Sequence, residues 1–496
     1  MFDNNNLMKN MLLKAALAFI GYHGAVWVGR NVVNKAADSF VHRLMVDAYS
    51  ENLWEIVSAT RKTGLQKILE TNIRSQAGKM IKRPLGSPKK LPNFDGIMFN
   101  FAQLHRLPTD EGLPIDTRVI IGPCAKKPLQ IELPIMISGM AYALALSAKA
   151  KIALAKGSKL VGTATNTGEG PFLQAERDAA GKLIIQYNRG KWNKSEAILK
   201  QADAIEIYIG QGAAGGVGHY IEDQEIDWKI RRQMGLGWGE KAVVHATYPG
   251  MGKQTDKFGE LVAYLREITG GVPIGVKLAG GKYLEADLSI ALSAGVDFFT
   301  VDGSNAGSKG TTPILQDDFG LPTLFALVRA ADFIRKHDLG QQVSLIVSGG
   351  LATPGDFLKA LALGADAVYI GSVALFAMNH TQSLKPMPWE PPPEIVWYKG
   401  KYQNKLDVHK GAESLAKFLR SCSEEIQDAV RALGKKSIHE VDKSDLFALD
   451  DFTARVVGIP VGYRETDYQP HYESRPGVPA FRQIDEKRRN KKPHGI

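Results

Sequence analysis

The chain has 496 residues, of which 44% are hydrophobic and 23% charged. This composition is typical of a globular protein with one large domain and terminal additions, or with two to three domains. The net charge of +10 lies at the ends, because residues 1–92 carry +8 and residues 482–496 carry +4, which leaves −2 for the body. A nucleic-acid enzyme would make the body itself positive, so the distribution argues against nucleic-acid binding.

Cysteine content limits the compartment and the metal chemistry. Only Cys124 and Cys422 are present, which argues against a disulfide framework and indicates a reducing compartment such as the cytoplasm. Two cysteines also cannot form a four-cysteine metal or iron–sulfur site, and we predict no metal site.

Residues 1–92 are predicted to form a basic helical lead that ends in the turn-rich linker KRPLGSPKKLP. Within it, residues 11–28 (MLLKAALAFIGYHGAVWV) are the candidate for membrane contact. Because this stretch carries Lys14 and His23, it favours an amphipathic helix over a transmembrane one. The helix is expected to contact the protein body, a partner or, peripherally, a membrane surface.

A repeating pattern begins near residue 130, where short apolar runs alternate with polar breaks and helix-like stretches. The eight runs are 133–139, 159–166, 204–210, 242–249, 273–280, 297–303, 343–350 and 367–372. Runs without polar alternation indicate strands buried on both faces. They predict an α/β fold, a (β/α)8 barrel within residues 93–380, although a doubly wound sheet shares the pattern. Residues 381–496 are predicted to add a proline-broken excursion, a helix over 411–434 and a basic tail.

Glycine-rich turns follow the last two runs. Gly349 and Gly350 end one run, and Gly371 and Ser372 end the other. Barrel enzymes often bind a phosphate with these two loops, where backbone N–H groups and a helix start face the anion. The turns therefore predict a phosphate cradle; the alternative is that the glycines only close tight turns.

Lys277 lies inside the apolar run 273–280. A lysine is rarely buried without a partner, so it should face an anionic or electron-rich group. A flavin suits it, because a cation beside the ring stabilises the negative charge of the reduced form. The alternative is an ion pair with a barrel carboxylate such as Asp302.

Residues 210–215 (GQGAAG) match the glycine pattern of dinucleotide-binding units. Neither a tight apolar helix nor a suitably spaced acid follows them. We interpret the segment as a loop on the substrate side of the barrel.

Taken together, these stretches resemble the FMN-binding synthase domain of glutamate synthase and its stand-alone relatives over roughly residues 93–380. The motifs that carry the resemblance are ELPIMISGM, TNTGEG, EIYIGQGA, GVKLAG, VDGSNAGSKGTTP and SGGLATPGDFLKALALGADAVYIGS. The resemblance implies FMN as cofactor and a 2-oxo acid or amino acid as substrate. The implied reaction adds ammonia to 2-oxoglutarate and transfers a hydride from reduced flavin to the imine. An electron-donor protein is implied as partner.

By position, the resemblance assigns two groups of residues. Expected flavin contacts are Ser138, Gly139, Met140, Asn166, Lys277, Asp302, Gly303, Gly349, Gly350, Gly371 and Ser372. Expected catalytic residues are Glu169, Gln211 and Lys277. Glu169 would manage protons at the substrate, and the alternative for it is a cap on the following helix.

The chain also departs from the family pattern. It lacks the cluster cysteines after the last strand and the amidotransferase cysteine within residues 1–92, so ammonia should come free or from a partner. Ala214 stands where the family has a basic residue, and this loss weakens the expected match to a dicarboxylate. Candidate replacements are histidines and tyrosines near strand ends, namely His245, Tyr248, Tyr142 and His219.

Three functions are compatible with this sequence. The first is an FMN enzyme that reductively aminates 2-oxoglutarate with electrons from a separate donor, or runs the reverse oxidation of a CH–NH2 group. The second keeps the flavin and acts on a different amino acid or amine. The third is a non-catalytic scaffold that bears a flavin or none and docks through its basic lead.

Overall fold

The computed structural model describes residues 4–48, 52, 54–246 and 255–464, and of residues 4–12, 15, 16, 255 and 256 it describes the backbone alone. The chain divides into two compact units, Met1–Ile81 and Lys82–Ile496. The linker residues 82–92 of the predicted lead therefore belong to the second unit.

The first unit is helical, as the sequence predicts. Its helices are α1 (Asn4–Val46), α2 (Trp54–Thr63) and α3 (Leu65–Ala77). Gly78 ends α3 in the left-handed conformation, with φ of 58°, which glycine adopts without steric cost. Within the described part of the chain, no helix is both long enough and apolar enough to cross a membrane.

The second unit alternates strands and helices. Its strands are β1 (Ile97–Phe99), β2 (Val119–Ile121), β3 (Leu129–Ile131), β4 (Ile135–Ile137), β5 (Ala164–Asn166), β6 (Lys182–Tyr187), β7 (Ala204–Tyr208), β8 (His219–Ile221), β9 (Ala242–Val244), β10 (Ile274–Ala279), β11 (Phe298–Asp302), β12 (Ser344–Ser348), β13 (Ala367–Ile370) and β14 (Leu446–Ala448). Its helices are α4 (Ala148–Lys159), α5 (Gln174–Ala179), α6 (Glu196–Leu199), α7 (Trp228–Met234), α8 (Thr255–Thr269), α9 (Leu284–Ser293), α10 (Pro313–Asp317), α11 (Thr323–Lys336), α12 (Pro354–Ala362), α13 (Ser372–Asn379), α14 (Val408–Ala432) and α15 (Asp451–Val457).

Eight strands close into a barrel in the order β4-β5-β6-β7-β10-β11-β12-β13. All neighbouring strands in it pair in parallel; Lys277 of β10, for example, lies opposite Thr300 of β11. Every residue of β7, β11 and β12 is buried, as expected for strands covered by side chains inside and helices outside. The predicted α/β class and (β/α)8 barrel are confirmed.

The predicted list of barrel strands contains one error. The run 242–249 is not the fourth strand, because its described part, β9, pairs antiparallel with β8 outside the barrel. The third barrel strand is instead β6, so β7 is the fourth. The burial of β9 alternates, whereas β6 contains the polar Gln186, which faces the barrel interior and interrupts the apolar run. Residues 247–249 lie outside the described residues.

We call residues 216–246, which contain β8, α7 and β9, the flap. A separate group of buried side chains supports it, and Ile230, Met234 and Val244 of the flap pack there against Tyr142 and Trp192. The flap is therefore a packed element on the barrel.

The remaining elements close the second unit. Its main core cluster runs from Phe94 to Val461. Helix α14, which matches the predicted helix 411–434 except at residues 433 and 434, packs against α4 at Gly157, where a methyl group would lie 2.8 Å from Leu415 Cδ2. Strand β1 pairs antiparallel with β14, which joins the two ends of the unit. The predicted basic tail lies beyond the described residues.

Candidate functional site

The residues expected to bind the flavin lie at one mouth of the barrel. They follow or end the strands β4, β5, β11, β12 and β13, and Lys277 lies within β10. Because the strands are parallel, their carboxyl ends meet at the same mouth, where barrel enzymes build their active sites.

Gly349 and Gly350 follow β12 with φ of 121° and 76°. A methyl group on Gly349 would lie 2.4 Å from Thr323 Oγ1, and one on Gly350 would lie 2.8 Å from Asn305 Cβ. Both positions therefore require glycine for backbone geometry and for packing against neighbouring side chains. This supports the tight-turn alternative but does not conflict with a phosphate cradle.

Gly371 lies under a different constraint. A methyl group there would meet a single near atom, Ser138 Oγ at 3.1 Å. Gly371 is the N-cap of α13 and provides no side-chain cap. Within the described ranges, the amides of Gly349, Gly350, Gly371 and Ser372 find no hydrogen-bond acceptor. Free amides beside a helix N-terminus fit the phosphate of FMN.

Lys277 and Asp302 form a buried ion pair, with 3.5 Å between Nζ and Oδ2. The same Oδ2 accepts a hydrogen bond from the amide of Gly212 at 3.1 Å, which ties the loop after β7 to β11. Asp302 Oδ1 is buried and has no hydrogen-bond partner among the described residues. The ion pair expected as an alternative is thus present, and the unpaired Oδ1 fits a ligand N–H such as that of a flavin ring.

A polar network fills the barrel interior around Glu206, whose side chain is fully buried. Glu206 accepts hydrogen bonds from Asn166 Nδ2 at 2.9 Å, Gln186 Nε2 at 2.8 Å and Thr300 Oγ1 at 2.8 Å. Asn166 Nδ2 also donates to Tyr369 OH at 3.2 Å. Burial and the nearby Glu206 raise the pKa of Tyr369 well above its usual range, so the phenol stays protonated. Asn166, expected as a polar neighbour of the flavin, is a member of this network.

Glu169 lies three residues after the end of β5, at the same mouth of the barrel. Its side chain is 18% exposed, and its Oε1 lies 3.4 Å from His219 Nε2. Its Oε2 is buried without a hydrogen-bond partner in the described residues. Burial raises the pKa of Glu169, while His219, Arg189 and Lys277 act in the opposite direction. Helix α5 has Leu173 at its N-cap and no side-chain cap, so the capping alternative for Glu169 is wrong.

Arg189, two residues after the end of β6, belongs to the candidate site but was not predicted from the sequence, because β6 itself was not predicted. Its side chain is buried, and Nη1 donates to the carbonyls of Gly216 and Ala246, each at 2.6 Å. Nη2 donates to Val217 O at 3.3 Å, and the guanidinium lies 5.4 Å from the Tyr208 ring centroid. A basic residue at the end of the KLIIQY run was the signal that could have identified it.

The other expected residues lie at or near the same mouth. Gln211 forms a tight turn with Gly215, whose amide donates to Gln211 O at 2.6 Å, and its side chain is half-buried. Met140 is also half-buried. A methyl group on Gly139 would lie 2.9 Å from Asn166 Oδ1. The amide of Gly303 donates to Ser348 O at 3.0 Å, so it is used within the barrel.

Among the four candidate replacements for the missing basic residue, His219 contacts a site residue. His245 is exposed after β9, and β9 is not a barrel strand. Tyr142 is buried with Trp192 in the cluster that supports the flap. Tyr248 lies outside the described residues.

Known proteins are similar in sequence to this chain over the barrel and over the regions next to it. Residues 99–436 match the family model described as a conserved region in glutamate synthase. The glutamate synthase large subunit-like protein of Rhizobium meliloti (strain 1021) is 33% identical over 406 residues, which cover 76% of this chain and 89% of that protein.

More distant similarities extend the comparison. The archaeal-type glutamate synthase (NADPH) of Thermotoga sp. (strain RQ2) is 30% identical over 318 residues, and the match spans 63% of this chain but only 62% of that relative's length. The recombinant flavin-binding domain of baker's yeast flavocytochrome b2 superposes with a TM-score of 0.49 and 17% identity, over 80% of this chain and 88% of that one. The chain belongs to the glutamate synthase family, as the sequence motifs predicted.

Proposed function

We propose that this FMN-dependent oxidoreductase reductively aminates 2-oxoglutarate, combining it with ammonia to give glutamate. The observation that carries the proposal is Glu169, a largely buried carboxyl with a raised pKa whose Oε2 has no hydrogen-bond partner among the described residues, at the mouth that also holds Lys277. Family membership and the free amides at Gly371 and Ser372 support the flavin half of the proposal.

The residues that would hold FMN fall into two groups. The free amides after β12 and β13 would bind its phosphate, and Lys277 with Asp302 would face its ring. Bound FMN in its reduced form supplies the hydride. Lys277 would lower the free energy of negative charge on the ring, and Asp302 Oδ1, which has no hydrogen-bond partner among the described residues, would be available to a ring N–H.

Glu169 is proposed to move the protons of the amination. It takes two protons in turn from the attacking ammonia and gives both to the substrate oxygen, which departs as water and leaves a neutral imine. It then passes one proton from solvent to the imine nitrogen, so that hydride addition gives the amine and the carboxyl ends in its starting state. A carboxyl whose pKa is raised toward neutrality can perform both transfers.

The substrate carboxylates need cations in a site that lacks the family's basic residue at Ala214. Arg189 and Lys277 bring two buried cations close enough to Glu169 to lower its pKa. We propose that these two cations, together with the side-chain amide of Gln211, replace the missing contact for the dianionic substrate.

The experiment begins with purified full-length protein carrying FMN, reduced anaerobically with light. Addition of 2-oxoglutarate and 15N-ammonia should reoxidise the flavin and yield 15N-glutamate detected by mass spectrometry. Glu169→Gln should keep its FMN and lose the reaction. Reoxidation by another 2-oxo acid but not by 2-oxoglutarate would favour the second function, an enzyme of a different amino acid or amine.

Electrons are proposed to reach the flavin from a separate protein, since the chain has no cysteines for the family's cluster. The test is to mix the oxidised protein with NADPH or NADH and to follow the flavin absorbance. No bleaching on the timescale of turnover supports a donor protein, and rapid bleaching by either nucleotide contradicts it.

A further inference from the structure

Both ends of the flap are bound to a single side chain, Arg189. It donates to Gly216 O and Val217 O just before β8, and to Ala246 O just after β9. Because Arg189 belongs to the barrel, these three hydrogen bonds fix the base of the flap to the end of β6. A planar guanidinium suits several acceptors at once, whereas an ammonium does not present the same fork.

The base of the flap is also closed by packing at Gly218. A methyl group there would lie 2.7 Å from Ala246 N and 2.8 Å from Val244 O. Two segments of the backbone, at residue 218 and at residues 244–246, are therefore in contact at the base of the flap. This contact lies directly beside His219, the first residue of β8.

His219 occupies a position between solvent and Glu169. Its side chain is 43% exposed, and its Nε2 lies 3.4 Å from Glu169 Oε1. The other oxygen of Glu169, Oε2, is buried without a partner in the described residues. One side of the Glu169 carboxyl thus faces a titratable group that reaches water, and the other is left for a ligand.

We propose that His219 carries protons between solvent and Glu169, and that Arg189 is the positioning residue that holds the flap so that His219 reaches this carboxyl. The imidazole takes a proton from water at one nitrogen and gives one from Nε2 to Oε1, and the reverse transfer returns it, so no other reactant is needed. The proposal rests on the proposed proton-transfer role of Glu169.

The neighbouring charges select His219 for this task. Glu169 is influenced by His219 from the flap, Arg189 from the end of β6 and Lys277 from β10. Arg189 does not release its proton, and Lys277 is paired with Asp302. On the flap itself, Lys241 is paired with Glu222 at 2.9 Å. Histidine is the one side chain in this set whose charge ordinarily changes near neutral pH.

The first test measures the protonation of Glu169 directly in the FMN-loaded protein. Infrared difference spectra across pH give the protonated carboxyl band, assigned by its absence in Glu169→Gln. In His219→Gln the titration of Glu169 should move to higher pH, because the cation that lowers its pKa is gone. An unchanged titration would show that the two side chains do not interact and would overturn the proposal.

The second test measures proton delivery. In His219→Ala, reoxidation of reduced flavin by 2-oxoglutarate and ammonia should slow by up to about 100-fold and recover in proportion to added imidazole. The matched control is His245→Ala, because His245 is an exposed flap histidine without a site contact. A His219→Ala rate equal to the wild-type rate at every pH would exclude the relay.

The third test addresses Arg189. In Arg189→Met, hydrogen exchange should accelerate at the amides of β8 and β9 but not at β12, and Arg189→Lys should restore part of the protection. Unchanged exchange in the flap would exclude the positioning role. If no variant and no wild-type protein aminates 2-oxoglutarate, the infrared and exchange results still decide this proposal, separately from the proposed function.

Discussion

Lys277 Nζ lies 3.5 Å from Asp302 Oδ2, and each side chain is only 4% exposed. Replacing Lys277 with Met leaves a buried carboxylate without its cation, which typically costs about 3–5 kcal/mol. We therefore expect Lys277→Met to lower the free energy of unfolding by about this amount, measured by urea denaturation of the apoprotein.

The double variant Lys277→Met/Asp302→Asn is the control for this prediction. It removes the second charge as well, so most of the lost stability should return, while FMN binding stays weak because the ring has lost its cation. A single variant as stable as the double one would show that the pair is well solvated.

Gly350 offers a prediction that separates packing from ligand binding. With φ of 76° and a methyl group 2.8 Å from Asn305 Cβ, Gly350→Ala should destabilise the protein by about 1–3 kcal/mol. Gly355→Ala is the matched control on α12, where a methyl group meets only Thr353 Oγ1 at 3.8 Å. It should leave stability unchanged or slightly raised, because alanine favours a helix over glycine. Equal melting temperatures for the two variants would contradict the packing assigned to Gly350.

Gly371→Ala should affect the cofactor more than the fold. The added methyl group meets only Ser138 Oγ, at 3.1 Å, but stands beside amides that find no acceptor in the described part of the chain. We expect FMN to dissociate more readily from this variant while apoprotein stability changes little. Bound flavin is counted by absorbance after gel filtration. Full retention of FMN would contradict a phosphate site at the start of α13.

Glu169 should make stability depend on pH in a defined direction. Burial raises its pKa in the folded state above the ordinary value of 4.5, so the folded protein binds this proton more tightly than the unfolded chain. The contribution is complete below pH 4.5 and is lost as the pH rises through the folded pKa. The stability of the wild type relative to Glu169→Gln should therefore fall as the pH rises from 4.5. A constant difference in denaturation midpoint would contradict the raised pKa.

The sequence was sufficient to predict the barrel, because buried parallel strands appear in a sequence as continuous apolar runs. Seven of the eight predicted runs contain a barrel strand. The prediction of a barrel strand at 242–249 was wrong. This run is as apolar as a strand buried on both faces, although β9 buries only one face. The prediction also failed at β6, where Gln186 turns into the barrel to bind Glu206. A polar side chain can be buried inside a barrel when it forms a hydrogen bond there. The local sequence pattern does not show which residue is the hydrogen-bond partner.

The sequence predicts site residues only where family motifs assign them. Arg189 and the contact between His219 and Glu169 depend on how the flap folds back, through hydrogen bonds to Gly216 and Ala246. The Arg189 contacts join a side chain to backbone carbonyls that are distant in sequence, and backbone carbonyls leave no signature in the sequence. From the sequence alone, His219 was a candidate replacement for the missing basic residue, but no feature of the sequence favoured it over His245.

The division of the chain at residue 81 gives the last prediction. The core cluster of the second unit runs from Phe94 to Val461, within the residues of that unit. Arg83, which pairs with Asp317 and donates from Nε to Gln316 Oε1 at 3.0 Å, also belongs to the second unit. We expect a variant lacking residues 1–81 to fold, to keep one FMN and to retain the wild-type melting temperature within a few degrees, measured by flavin absorbance and calorimetry. Insoluble or colourless protein from this deletion, with normal protein from deletion of residues 1–30 alone, would show instead that α2 and α3 are needed for the fold of the barrel unit.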